Sequence, residues 1–132
     1  MTVKIEWIQL YSLGVMHWKA EYNNAIYRLE VNVFPEHYDG VYVFDDLRFR
    51  RLGRARLYDI ELEFLRNLWK KYKNAAVLRM EDLEPDHQSS LMKITENIIK
   101  DISAMKSGEI KVALEIGDDF VITRVKFIDE RT

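Results

Sequence analysis

The sequence predicts an α+β fold, a largely antiparallel sheet of two hairpins plus short strands with two amphipathic helices packed on one face. Three observations predict it: apolar alternation on both sides of Asn23-Asn24, helical periodicity through two central segments, and a return to alternation near the C-terminus. At 132 residues the chain suits one domain, and a single compact unit over residues 1–132 is expected.

The first strand carries Val3, Ile5 and Trp7 in alternation with Lys4 and Glu6. Ile8, Leu10, Tyr11 and Leu13 break that phase, so a bulge or a doubly buried end is expected, with Gly14 marking the turn. Met16, Trp18, Ala20 and Tyr22 then alternate with His17, Lys19 and Glu21, and the apolar set resumes at Ala25, Tyr27, Leu29, Val31 and Val33. With Asn23-Asn24 as a two-residue turn, Tyr22 faces Ala25, Ala20 faces Tyr27, Trp18 faces Leu29 and Met16 faces Val31. The opposite face sets His17 by Glu30 and Lys19 by Arg28, a like-charge pair that needs solvent or an anion nearby. Asp39-Gly40 signals a turn before a short strand, Val41 to Phe44, and Pro35 limits pairing of the preceding segment.

From about Gly53 to Lys73 the period changes. Tyr58, Leu62, Leu65, Trp69 and Tyr72 follow spacings of four and three, and Leu57, Phe64 and Leu68 widen the stripe, which predicts an amphipathic helix. Ala75 to Met80 is short and apolar enough for a buried strand, followed by the acidic loop of residues 81–85. A second helix is expected from Asp86 to Lys106, with Leu91, Ile94, Ile98, Ile102 and Met105 on one face, Glu96 and Lys100 paired at i,i+4, and Gly108 ending it. Ile110, Val112, Leu114 and Ile116, then Gly117-Asp118-Asp119, then Val121, Thr123, Val125 and Phe127 read as a second hairpin. Trp7, Trp18, Tyr27, Trp69 and Tyr72 all fall on expected core faces. The hairpin strands nearest the termini, with Lys19, Arg28, Lys111 and Arg124 outward, are expected to be guarded sheet edges.

Composition excludes several function classes. Hydrophobic residues make up 48% of the chain, enough to offset chain entropy, so disorder is excluded. Cysteine is absent, which removes disulfides, thiolate zinc sites and cysteine nucleophiles and suits a cytoplasmic setting. No apolar run approaches the roughly 20 residues of a membrane span, and the first residues lack a secretory pattern. Charged residues at 32% and only two glutamines resemble heat-adapted compositions, an inference weakened by six asparagines.

The most informative feature is charge. Five arginines (Arg48, Arg50, Arg51, Arg54 and Arg56) lie within nine residues, with no acid from Leu47 to Tyr58. From Arg48 to Arg79 there are ten basic and three acidic residues, leaving that segment at +7 and the remainder at −9 within a net charge of −2. Such polarity steers a polyanion to the basic region or joins one copy's basic face to another's acidic face. The leading expectation is a non-enzymatic binding or assembly protein, a homo-oligomer using this segment toward itself or another protein. The alternative is DNA or RNA, with the arginines on phosphates, Phe49 and Tyr58 as stacking platforms, and Arg66, Lys70 and Lys73 extending the track along the first helix. A third possibility is a solvated network in which the arginines pair with Asp45, Asp46, Asp59 and Glu63. Phosphate binding at the N-terminus of the first helix would add its free amides to Arg54 and Arg56.

Enzymatic signatures are weak. Glu61 falls inside the apolar arc of the first helix, so it either meets a cation, with Arg54 nearest on that face, or stands as a catalytic acid of raised pKa. Pro85-Asp86 followed by Glu109-Ile110-Lys111 resembles the acid and Glu-x-Lys of metal-dependent nucleases, but about 20 helical residues, some 30 Å, separate them. His17, His37 and His87 show no metal-ligand spacing, and neither a nucleophile elbow nor a phosphate-binding glycine loop is present; Leu52-Gly53-Arg54 reads only as a turn. No cofactor is expected.

Overall fold

A computed structural model of the protein describes residues 2–106, 110–116 and 122–129, with side chains described as far as residue 104. Two compact units are distinguished, residues 1–102 and residues 103–132. The first unit contains β1 (Lys4–Leu10), β2 (Val15–Tyr22), β3 (Ala25–Asn32), β4 (Val41–Asp45), β5 (Arg50–Ala55), α1 (Asp59–Tyr72), β6 (Val77–Leu78) and most of α2 (Pro85–Lys106). The six strands form one antiparallel sheet in the order β5-β4-β3-β2-β1-β6.

The β2–β3 hairpin has the register its alternation predicts, from Tyr22 opposite Ala25 to Met16 opposite Val31. Asn23 and Asn24 both adopt positive φ (52° and 62°), the backbone that a tight two-residue turn requires and that asparagine tolerates well. The inward residues Met16, Trp18, Ala20, Leu29 and Val31 are buried and share one core with Leu65, Leu68 and Trp69 of α1 and Leu91, Ile94, Ile98, Ile99 and Ile102 of α2. Burial of each large side chain contributes about 1.5 to 3 kcal/mol, so this sheet–helix interior is the main source of stability.

The expected irregularity in β1 lies at Glu6, where the pairing with β2 shifts between Ile5 and Trp7. One extra residue reverses which side chains face inward. Val3 and Ile5 are buried before the bulge, Ile8 and Leu10 after it, and Trp7 turns to the outer face, where it meets the His17 ring edge-on at 5.4 Å. The core placement expected for Trp7 is thereby corrected. Gly14, at φ 83°, closes the Ser12–Gly14 turn into β2 as anticipated.

The segment after β4 departs most from expectation. Residues 53–58 are not the start of a helix: Arg50–Ala55 is strand β5, which pairs antiparallel with β4 from Val41–Ala55 to Asp45–Arg50, and Gly53 lies in the strand rather than in a turn. Only from Asp59 is the 3.6-residue period free of this pairing. The outermost strands are β5 and the two-residue β6, so β2 and β3, expected near an edge, are interior. Leu78 of β6 is buried while Val77 is exposed, and the strand adds only two residue pairs to β1.

Pro85 opens α2, a first-turn position at which its missing N–H costs nothing, and Glu96 and Lys100 form the expected i,i+4 ion pair at 3.0 Å. In the second unit β7 (Ile110–Ile116) and β8 (Ile122–Asp129) form a separate two-stranded antiparallel sheet, with Val112 opposite Phe127 and Leu114 opposite Val125. Gly108, Glu109, the Gly117-Asp118-Asp119 turn and Val121 lie outside the described residues. No helix among the described residues is long and apolar enough to cross a membrane.

Candidate nucleic-acid interface

With α1 and α2 packed on one side of the sheet, antiparallel register decides which residues of the first unit meet on the opposite face. Arg51 lies opposite Phe44, Phe44 opposite Arg28, Arg28 opposite Lys19 and Lys19 opposite Trp7, so one row across five strands reads Arg, Phe, Arg, Lys, Trp. The neighbouring row, Arg54, Tyr42, Glu30, His17 and Gln9, is built in the same way. Cations stack on the aromatics: the Arg51 guanidinium is 4.8 Å from the Tyr42 ring centre and that of Arg28 is 5.7 Å from the Trp7 ring.

The like-charge Lys19–Arg28 pair is relieved by Asp46, which follows β4. Its carboxylate accepts a hydrogen bond from Arg28 Nε and lies 3.4 Å from Lys19 Nζ, while Glu6 lies 3.5 Å from the same ammonium. Burial opposes the Asp46 charge, but the Arg28 hydrogen bond and the two nearby cations outweigh it and hold the carboxyl below its ordinary pKa. The anion that this pair requires is supplied from within the chain.

Asp45 organises the hairpin tip, its Oδ1 accepting the amides of Leu47 at 3.0 Å and Arg48 at 3.2 Å. Phe49 closes the turn at φ 50° with its side chain 80% exposed. A left-handed backbone at a phenylalanine costs about 1–2 kcal/mol, so the tip holds a strained conformation with an aromatic ring in solvent.

Arg48, Arg50, Arg51, Arg54 and Arg56 are all exposed. The expected carboxylate network does not form around them: Asp46 is bound to Lys19 and Arg28, Glu63 pairs with Arg66 at 2.6 Å, and Asp45 is held by tip amides. Of these five arginines only Arg54 has a carboxylate partner among the described residues, Asp39 at 4.0 Å, and the side chains of Arg48, Arg50 and Arg56 have none. Of the helix cations, Arg66 is half-buried, with Nε donating to Val33 O at 3.1 Å, so it serves packing; Lys73 lies over the Trp69 ring at 5.5 Å, and Lys70 is exposed without a partner among the described residues.

Glu61 is half-buried at the start of α1, and its Oε1 accepts the Tyr58 amide at 2.9 Å. It therefore caps the helix, and Arg54, facing Asp39, is not its partner. Because Asp59 and Glu61 place negative charge in the first turn and the Tyr58 amide is already taken, an anion is disfavoured there. Glu61 also lines two adjoining cavities of about 510 Å³ between α1 and α2, one polar with Arg56, Lys100 and Asp101, the other apolar with Ile60, Phe64 and Ile94.

A smaller cavity of about 230 Å³ lies against the sheet face opposite the helices at the hairpin tip, lined by His17, Arg28, Glu30, Phe44, Asp45 and Phe49. His17 buries its Nε2 without a hydrogen-bond partner among the described residues, and burial lowers its pKa from the ordinary value. His87 instead meets the Tyr72 hydroxyl at 3.1 Å. No group of three or more His, Asp or Glu among the described residues is placed to hold a metal ion. The contributions of Trp7, His17, Arg28, Tyr42 and Phe44 to this face were not legible as a site in the sequence; the β2–β3 register alone pointed to part of it. Comparison with protein-family models, curated proteins and solved structures finds no match to this chain.

Proposed function

We propose that the protein is a non-enzymatic binding module for single-stranded nucleic acid, with strand β5 and the β4–β5 tip as its contact surface. The observation that carries this reading is the set of exposed guanidiniums at a sheet edge, four of the five without a carboxylate partner among the described residues, beside the exposed ring of Phe49. Unpaired arginines bind phosphate oxygens bidentately, and an aromatic ring in solvent accepts a stacked base, the combination on which single-strand recognition rests.

The same geometry weighs against self-assembly through this edge. An antiparallel pairing of β5 with β5 of a second copy, centred on the strand, sets Arg51 of each against Arg54 of the other, and directly opposed like charges destabilise a sheet. A polyanion meets no such repulsion.

Fluorescence anisotropy of a labelled single-stranded 12-mer across about 50 to 200 mM salt tests the reading. Affinity is expected to fall log-linearly with salt. An Arg48→Ala/Arg50→Ala/Arg51→Ala variant is expected to bind more weakly, with a salt slope shallower by about 0.7 for each phosphate no longer neutralised. Absence of binding at low salt would sink this proposal and return the arginines to a protein-contact role.

A further inference from the structure

We infer that the cavity at the β4–β5 tip is a subsite for one unpaired nucleobase, an inference that rests on the single-strand reading above and deepens it. The cavity contains two carboxylates, Glu30 and Asp45, and its one cation, Arg28, is already engaged by Asp46. A phosphate is therefore repelled from it, while an uncharged group is not. Two of its six lining residues, Phe44 and Phe49, are aromatic, so the occupant it suits is flat and aromatic.

The polar groups narrow the class further. Carboxylate oxygens accept hydrogen bonds from an exocyclic amino group, as cytosine, adenine and guanine possess and thymine and uracil lack. Asp45 spends one oxygen on the tip amides, and Glu30 forms no ion pair among the described residues, which leaves acceptors available. His17 also lines the cavity, and its buried ring Nε2 has no hydrogen-bond partner among the described residues. Phosphates on either side of the base then meet Arg48, Arg50 and Arg51, which neighbour Phe49 in sequence on the tip and edge strand. The strained backbone at Phe49 fits the same role, because it holds a solvent-exposed aromatic residue among those that line the cavity.

The test compares oligo(dC) and oligo(dT) 12-mers with a 12-mer of abasic deoxyribose-phosphate units, bound to the full chain and to Phe49→Gly at matched salt. Glycine suits the left-handed backbone at position 49 and the native ring is solvent-exposed, so this variant retains the fold, which circular dichroism verifies. The wild type is expected to bind oligo(dC) about tenfold more tightly than the abasic chain, with oligo(dT) between them. Phe49→Gly is expected to bind oligo(dC) as weakly as the abasic chain, with the salt slope unchanged, and Glu30→Ala, which removes the acceptor, to reduce the preference for oligo(dC) over oligo(dT). Equal wild-type affinity for base-bearing and abasic chains overturns the subsite and leaves phosphate binding standing. A preference that survives Phe49→Gly also overturns it, and no binding of any chain overturns both readings.

Discussion

The indole Nε1 of Trp18 donates to Thr95 Oγ1 at 3.1 Å, joining the centre of the sheet to α2 through two fully buried side chains. Thr95 in turn donates to the Leu91 carbonyl at 2.7 Å, so no polar atom of the pair is left unpaired. Thr95→Val keeps shape and removes the acceptor. A loss of about 1 to 3 kcal/mol is expected, read as a lower denaturant midpoint at constant m, and Thr95→Ser is expected to recover most of it.

Gly14 occupies φ 83°, and a Cβ added there would lie 2.5 Å from Phe34 Cδ2, whose ring packs edge-on against Trp69 at 5.2 Å. Gly14→Ala therefore combines backbone strain with overpacking, and a loss of about 2 to 4 kcal/mol is expected. Adding Phe34→Leu should return part of that stability in chemical denaturation; full additivity of the two losses would show that the ring is not the obstacle.

Two groups on the outer sheet face make stability depend on pH. Burial lowers the pKa of His17 in the fold, so its contribution is complete above the unfolded value of about 6.5 and declines as pH falls below it. Asp46, held low against burial by Arg28 and Lys19, contributes above an unfolded value of about 3.9, and that contribution is lost as pH falls through the folded pKa. Thermal melts are expected to show a decline below about pH 6.5 and a second below about pH 4. Asp46→Asn should flatten the second decline without removing it, because Glu84 is also held low by Lys71, and should cost under about 1 kcal/mol at neutral pH. An unchanged acid limb in that variant would exclude Asp46.

Phe49→Gly also makes a stability prediction. Relief of the left-handed strain at φ 50° should leave stability equal or raise it by up to about 1 kcal/mol, because the native ring is exposed. A loss above that size would mean that the ring packs, and would remove Phe49 from the set of residues free to meet a ligand.

The register from Met16 to Val33 was readable because its information is local: period-two alternation and a turn of two asparagines specify the same pairing. The bulge in β1 was readable for a similar reason, as the phase break falls within the strand, whereas the outward turn of Trp7 depends on where in the strand the extra residue sits. Strand β5 gave no comparable signal. Its burial runs from exposed arginines to a single buried alanine, so an edge strand with almost no core contribution merged with the helical pattern beginning just beyond it.

By itself the sequence determined the α+β class, both helices, the central hairpin and the basic segment, since periodicity and charge are carried by residues close along the chain. Tertiary structure alone decided that the basic segment is a sheet edge, that Asp46 neutralises Lys19 and Arg28, and that His17, Arg28, Phe44 and Phe49 line one cavity. Those relations depend on which strands lie side by side and on which face each residue emerges. Both follow from burying one common core, and neither is a property of any short stretch of chain.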